Sequence, residues 1–295
     1  MMTEVKMFKS VKELIDKCET ENKAIYEVML EQEMAVTGMT AEEVYTHMNR
    51  NLETMEKALD EGLAGVTSKT GLTGGDAVLM KRYVASGQSL AGDLILDAVS
   101  KAVATNEVNA AMGKICATPT AGSAGVVPGV LFSLKNRLQL SRQDMLNFLL
   151  TSGAFGFVVA NNASISGAAG GCQAEVGSAS AMAAAAIVEA AGGSPQQSAD
   201  GFAICLKNML GLVCDPVAGL VEVPCVKRNA AGASNAIVSA DMALAGITSR
   251  IPTDEVIDAM YKIGQTMPSA LRETGRGGLA GTPTGQRLKQ QIFGD

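Results

Sequence analysis

The sequence predicts a mainly α-helical fold: a helical body with Gly-, Pro- and Ser-rich loops gathering around a buried site. Apolar residues recur at helical spacing over 93–113, 143–159, 174–191, 199–212, 230–248 and 254–265. No stretch sustains strand-type alternation, and no βαβ rhythm appears. Bulk is supplied by Ala, Gly, Val, Leu and Met, with aromatic residues at only 4% and no tryptophan. Small side chains of that kind let helix backbones approach one another closely.

Residues 10 to about 60 read as two charged amphipathic helices broken at Thr37-Gly38-Met39. Ser10 with Glu13, and Thr40 with Glu43, have the spacing of capping boxes. Residues 62–92 are Gly-rich but contain no GxxxxGK[ST] phosphate loop. "GRGGLAG" at 275–281 follows no strand, so it is not read as a dinucleotide fingerprint. Thr253, ahead of Asp254 and Glu255, reads as the last N-cap. The chain, 1–295, is taken as a single domain, with N-terminal helices over 1–60 and a body over 62–295.

A net charge of −6 and a pI near 5.0, without a basic stripe, argue against a nucleic-acid partner. The longest uncharged apolar run, around 179–188, is too short to span a bilayer. The charged, helical start resembles no signal peptide, so a soluble, cytoplasmic protein is expected. In a reducing compartment the six cysteines form no disulfide framework, and a grouping of them points to metal or redox chemistry. His47, the only histidine, has polar helical neighbours and reads as a solvated residue rather than a ligand.

"GLVCDPVAGLVEVPC" (211–225) places Cys214 before Asp215-Pro216 and Cys225 directly after Pro224. Proline keeps both out of a helix interior, so they look presented rather than packed. Cys172 follows Gly170-Gly171 and precedes a helix whose first turn carries Glu175. Cys18 and Cys205 read as packed helical residues, and Cys116, opening "CATPTAGSAG", is ambiguous. The pattern C-x41-C-x10-C lacks the close pairs of structural zinc sites, and no C-x-x-C is present. An iron–sulfur cluster stays open alongside a purely structural role. Three ligands rather than four would leave one iron accessible as a Lewis acid.

"TPTAGSAG", "NNASISGAAGGCQAEVGSA", "GLVCDPVAGLVEVPCVKRN" and the closing "TPTG" closely resemble the α chain of iron–sulfur-dependent L-serine dehydratase, over about 68–285. The resemblance implies a mainly helical catalytic domain. It also implies a 4Fe–4S cluster held by Cys172, Cys214 and Cys225, with one differentiated iron. Single-chain relatives carry a further domain with a serine- and histidine-containing motif, absent here, so a separate β chain is the expected partner. Some relatives end in a cysteine that caps the fourth iron, whereas "QQIFGD" has none.

The implied reaction is β-elimination of water from L-serine, giving pyruvate and ammonia. The expected substrate-binding groups are Lys69 and Thr70 in "SKTG", Thr118, Thr120 and Ser123 in "TPTAGSAG", and Asn161 and Asn162. Ordinary turn and cap chemistry explains each of these equally well. The general base is not identifiable and is expected on the β chain; a higher oligomer stays open. Glu175 and Asp215 adjoin cluster cysteines and are candidates to steady them. Rival readings are a cysteine desulfidase using the same iron, a pyridoxal-phosphate lyase, for which no lysine has a convincing setting, and a non-catalytic iron–sulfur sensor or scaffold.

Overall fold

The computed structural model describes residues 7–294. These form 13 α-helices joined by loops and short helical turns, with no strand beyond two isolated bridges among the described residues. The predicted class is therefore the observed one.

The N-terminal region makes three helices, not two: α1 (Val11–Glu21), α2 (Ile25–Thr37) and α3 (Ala41–Ala64). Asn22 takes the left-handed conformation, φ 51°, and ends α1 well before the expected break at Gly38. Ser10 accepts from the Glu13 N–H, but the Glu13 carboxylate takes Lys9 N–H at 2.7 Å. Asp254 also accepts Val11 N–H at 2.8 Å and Lys12 N–H at 2.9 Å, so α1 is capped from the far end of the chain. The Thr40–Glu43 box forms as expected.

Three further helices interrupt regions read as loop: α4 (Asp76–Ala85), then after α5 (Asp93–Ala110) comes α6 (Val126–Leu134), and the last is α13 (Pro283–Phe293). All nine residues of α6 are buried, so it carries no polar face for a periodicity to show. Between α6 and α13 run α7 (Arg142–Asn162), the turn α8 (Gly167–Gly170), α9 (Ser178–Ala190), α10 (Pro195–Lys207), α11 (Cys225–Leu244) and α12 (Thr253–Thr266). Thr253 lies inside α12, where its hydroxyl donates to the Ala199 carbonyl at 3.0 Å; it is not the last N-cap. That role belongs to Thr282, which accepts Gly285 N–H at 3.1 Å and starts α13.

The core is organised around α9, whose residues 178–188 are all buried and which packs against α7, α10 and α11. Close approach replaces bulk, as the composition suggested. A Cβ on Gly62 of α3 would stand 2.2 Å from the Ala104 carbonyl oxygen of α5. One on Gly129 of α6 would meet the Ala102 backbone at 2.8 Å. Larger residues would force these helices apart. No described helix is long and apolar enough to cross a membrane.

Candidate active site

Three chain segments carry the cysteines, and backbone bonds join them. Gln173, next to Cys172, donates its N–H to Leu212 O at 3.0 Å, and its side-chain oxygen accepts Gly211 N–H at 2.9 Å. Cys214 pairs with the segment after α12: its N–H donates to Leu271 O at 2.8 Å, and its carbonyl accepts Glu273 N–H at 2.7 Å. Cys225 is the first residue of α11, directly after the cis Val223–Pro224 bond. Prolines thus keep both cysteines out of helix interiors, as expected.

The thiols are not presented to solvent, however. Cys172, Cys214 and Cys225 are 3%, 3% and 8% exposed; the turn α8 stands against Cys214, and the 271–273 segment is bonded to its backbone. Burial pushes the Cys172 thiol up to about 11 and that of Cys225 up to about 12. It pushes Cys214 up as well, and the charges of Cys172 and Cys225, were they ionised, would raise it further. The three thiols lie within electrostatic reach of one another.

Charged side chains stand nearby: Asp215 and Glu175, which the sequence marked, and Arg228 and Glu273, which it did not. Arg228, three residues into α11 from Cys225, donates to Val213 O at 2.8 Å and pairs with Asp215 at 2.8 Å. Its charge favours the ionised form of Cys172, against the larger effect of burial. The other Asp215 oxygen accepts Leu279 N–H at 2.7 Å, so Asp215 holds down the 278–281 turn. A Cβ on Gly167 would stand 3.0 Å from the Cys214 sulfur, 3.0 Å from a Glu175 oxygen and 3.3 Å from a Glu273 oxygen. Two carboxylates therefore face the same space as Cys214. Glu175 lies in a π-helical turn, Gln173–Gly177, rather than an ordinary first helical turn. Burial raises its carboxyl, and nearby Glu273 raises it further, against the Thr120 hydroxyl and Gly122 N–H that bond it.

The Ser/Thr loops arrive with most of their hydroxyls already engaged. Thr120 bonds Glu175. Ser123, fully buried, donates to Thr118 O at 3.1 Å and braces its own loop, while Thr118 reaches Ala124 O at 3.5 Å. Asn229 of α11 donates to Gly122 O at 2.7 Å and to Cys225 O at 3.0 Å, locking this loop to the cysteine helix. Thr70 donates to Glu222, which lies between Cys214 and Cys225, at 2.9 Å. Lys69 beside it is exposed. Asn161 and Asn162, at the end of α7, spend their amides on the carbonyls of Phe157, Lys9 and Val158. His47 is exposed on α3, as expected.

The donor set suits a polynuclear iron–sulfur group. Sulfur donors from three segments are buried, a guanidinium stands beside the Cys214 segment, and the lack of a Cβ at Gly167 lets its backbone come close to Cys214. No three His, Cys, Asp or Glu side chains among the described residues stand close enough to share a single metal ion. A cluster does not ask for that closeness, since each thiolate takes a different iron.

Three buried cysteines on separate segments, with carboxylates and Ser/Thr-rich turns nearby, mark the candidate site of a mainly helical chain. The chain belongs to the serine dehydratase alpha chain family, whose model matches residues 20–280. The match begins well before residue 68, so α2 and α3 belong to the family's common part. A probable L-serine dehydratase alpha chain of Bacillus subtilis is 73% identical over 288 residues, covering 98% of this chain and 96% of that one. The L-serine dehydratase alpha chain of Peptoniphilus asaccharolyticus is 44% identical, covering 97% and 99%. L-serine dehydratase 1 of Escherichia coli is 38% identical over 92% of this chain but only 61% of its own length.

Proposed function

We propose that this is the catalytic chain of an L-serine dehydratase, which removes water from L-serine to give pyruvate and ammonia. In this reading Cys172, Cys214 and Cys225 hold a 4Fe–4S cluster, and a β chain completes the enzyme. The observation that carries the reading is the convergence of three buried thiols from separate segments beside the Arg228 guanidinium.

When bound, a cluster with three protein thiolates supplies an open iron that acts as a Lewis acid on a poor leaving group. This chain's own residues do the rest of the positioning. The carboxylates of Glu175 and Glu273 face the space beside Cys214 and take the ammonium of the amino acid. Thr120 fixes Glu175 from the other side, and Asn229 anchors that loop to α11. Glu222 fixes Thr70, which leaves the Lys69 ammonium as the group of "SKTG" free to meet a carboxylate. Burial of Glu222 and Asn229 keeps water from their contacts, which strengthens them. The base that removes the α-proton is assigned to the β chain, because the only imidazole of this chain is exposed on α3.

The test is anaerobic reconstitution with iron and sulfide, followed by visible absorbance and pyruvate release from L-serine with and without the β chain. A coloured protein that turns over serine only with its partner supports the whole reading. A protein that stays colourless and inactive overturns it, and sulfide release from cysteine without serine turnover reassigns the leaving group.

A further inference from the structure

Arg228 reaches from the helix that Cys225 opens to the segment that carries Cys214. It is anchored on α11, three residues after Cys225. Its Nη1 donates to Val213 O at 2.8 Å and its Nη2 stands 2.8 Å from Asp215 Oδ1, so one guanidinium grips the residues on both sides of Cys214. The side chain is only 16% exposed and Asp215 only 4%, so water does not compete strongly for either group. Asp215 in turn holds Leu279 N–H, which extends the grip to the segment that covers the site.

We propose that Arg228 is the positioning residue of the cysteine site: its guanidinium ties the Cys214 segment to the helix opened by Cys225 and holds these two parts of the site together before metal arrives. The proposal rests on the cluster reading for its purpose, but not for its geometry. A planar guanidinium can face a carbonyl and a carboxylate together, whereas a lysine ammonium on a flexible stem holds them less firmly. Residues that orient ligands from behind are expected to matter to the metal nearly as much as the ligands do.

The experiment compares the wild type with Arg228→Met and Arg228→Lys in two states. In the metal-free chain, alkylation of each cysteine is followed by mass spectrometry, with circular dichroism and thermal melting as controls for folding. After anaerobic reconstitution, iron content and the rate of iron loss to a chelator are measured. With Met at 228, Cys214 is expected to alkylate faster while Cys18 and Cys205 do not change. Iron is expected to be lost about 10- to 100-fold more readily, the usual penalty for removing an outer-shell partner. Lysine is expected to restore part of the iron retention but little of the thiol protection. If the Met variant unfolds, the Lys variant carries the test by the same two readouts. Wild-type alkylation and iron retention in both variants would overturn the proposal. A wild type that takes up no iron would sink the cluster reading, and the alkylation pattern would still decide whether Arg228 is the clamp.

Discussion

Glu222 accepts the Thr70 hydroxyl on its carboxylate, with both oxygens at 2.9 Å, across 152 residues of sequence. It takes the Thr73 hydroxyl as well, at 3.0 Å, and is itself only 5% exposed. A single acid between Cys214 and Cys225 thus pins the Gly-rich "SKTGLTGG" segment against the cysteine loop. Glu222→Ala leaves two hydroxyls without their acceptor and is expected to cost about 2–3 kcal/mol, in keeping with lost bonds to a buried charge. Glu222→Gln keeps one acceptor oxygen and is expected to cost less. Urea unfolding gives the stabilities, and amide hydrogen exchange shows where the loss falls. Faster exchange is expected over 66–75 first, and uniform change across the chain would contradict the latch.

Cys172→Ser, Cys214→Ser and Cys225→Ser are each expected to abolish cluster assembly, while Cys18→Ser and Cys205→Ser leave it intact. Cys205 serves the packing instead. Its sulfur lies 2.9 Å from Ser180 Oγ and 3.1 Å from Asn235 Nδ2, deep between α9, α10 and α11. Its replacement is expected to lower the melting temperature without lowering iron content. Iron content after reconstitution separates the two groups. Equal loss in all five variants would remove the ligand assignment.

What the sequence disclosed follows the range of the interactions involved. Local signals were readable: the Thr40 cap, the prolines beside Cys214 and Cys225, and the amphipathic stretch of α12. One local signal outweighs the apolar spacing, since Ser194 with Pro195 and Gln197 marks the true start of α10 ahead of the expected 199. The helix α6 was hidden for a physical reason: a segment buried on every side has no polar face to set a period. The site was half legible. Its thiols stood out by their loops, but Glu222, Arg228 and Glu273 act on partners brought close only by folding. The same folding engaged the Thr70 hydroxyl with Glu222 and the Ser123 hydroxyl with its own loop.

Glu189 of α9 accepts Ile25 N–H at 2.5 Å and bonds Thr151, so it caps α2, whose own N-cap Ala24 has no side-chain acceptor. Burial pushes its carboxyl above the ordinary glutamate value of 4.5, against the lowering effect of those donors. The folded chain therefore holds this proton more tightly than the unfolded chain. Stability from this group is fully present below the ordinary value and is lost as pH rises through the raised one. Glu189→Gln, which cannot titrate, supplies the reference. The wild type is expected to gain stability relative to this variant as the pH falls from neutral toward the ordinary glutamate range. Urea unfolding of both proteins across that window checks it, and a gap that stays constant or shrinks on acidification would refute the assignment.

Gly167 separates stability from function most cleanly. It opens the turn α8, where alanine favours the helical backbone by up to about 1 kcal/mol. Its φ is not among the positive ones, so alanine meets no backbone strain. The added methyl would nevertheless enter the space shared by Cys214, Glu175 and Glu273, at 3.0, 3.0 and 3.3 Å. Each neighbour must then give by a few tenths of an ångström, and all three are side chains able to turn away. Gly167→Ala is expected to melt at the wild-type temperature or slightly above it, while taking up less iron and binding serine more weakly. Melting curves, iron content and the KM for serine are the three measurements. Full iron uptake with an unchanged KM would mean that the space beside Cys214 is not the site, whatever the thiols around it do.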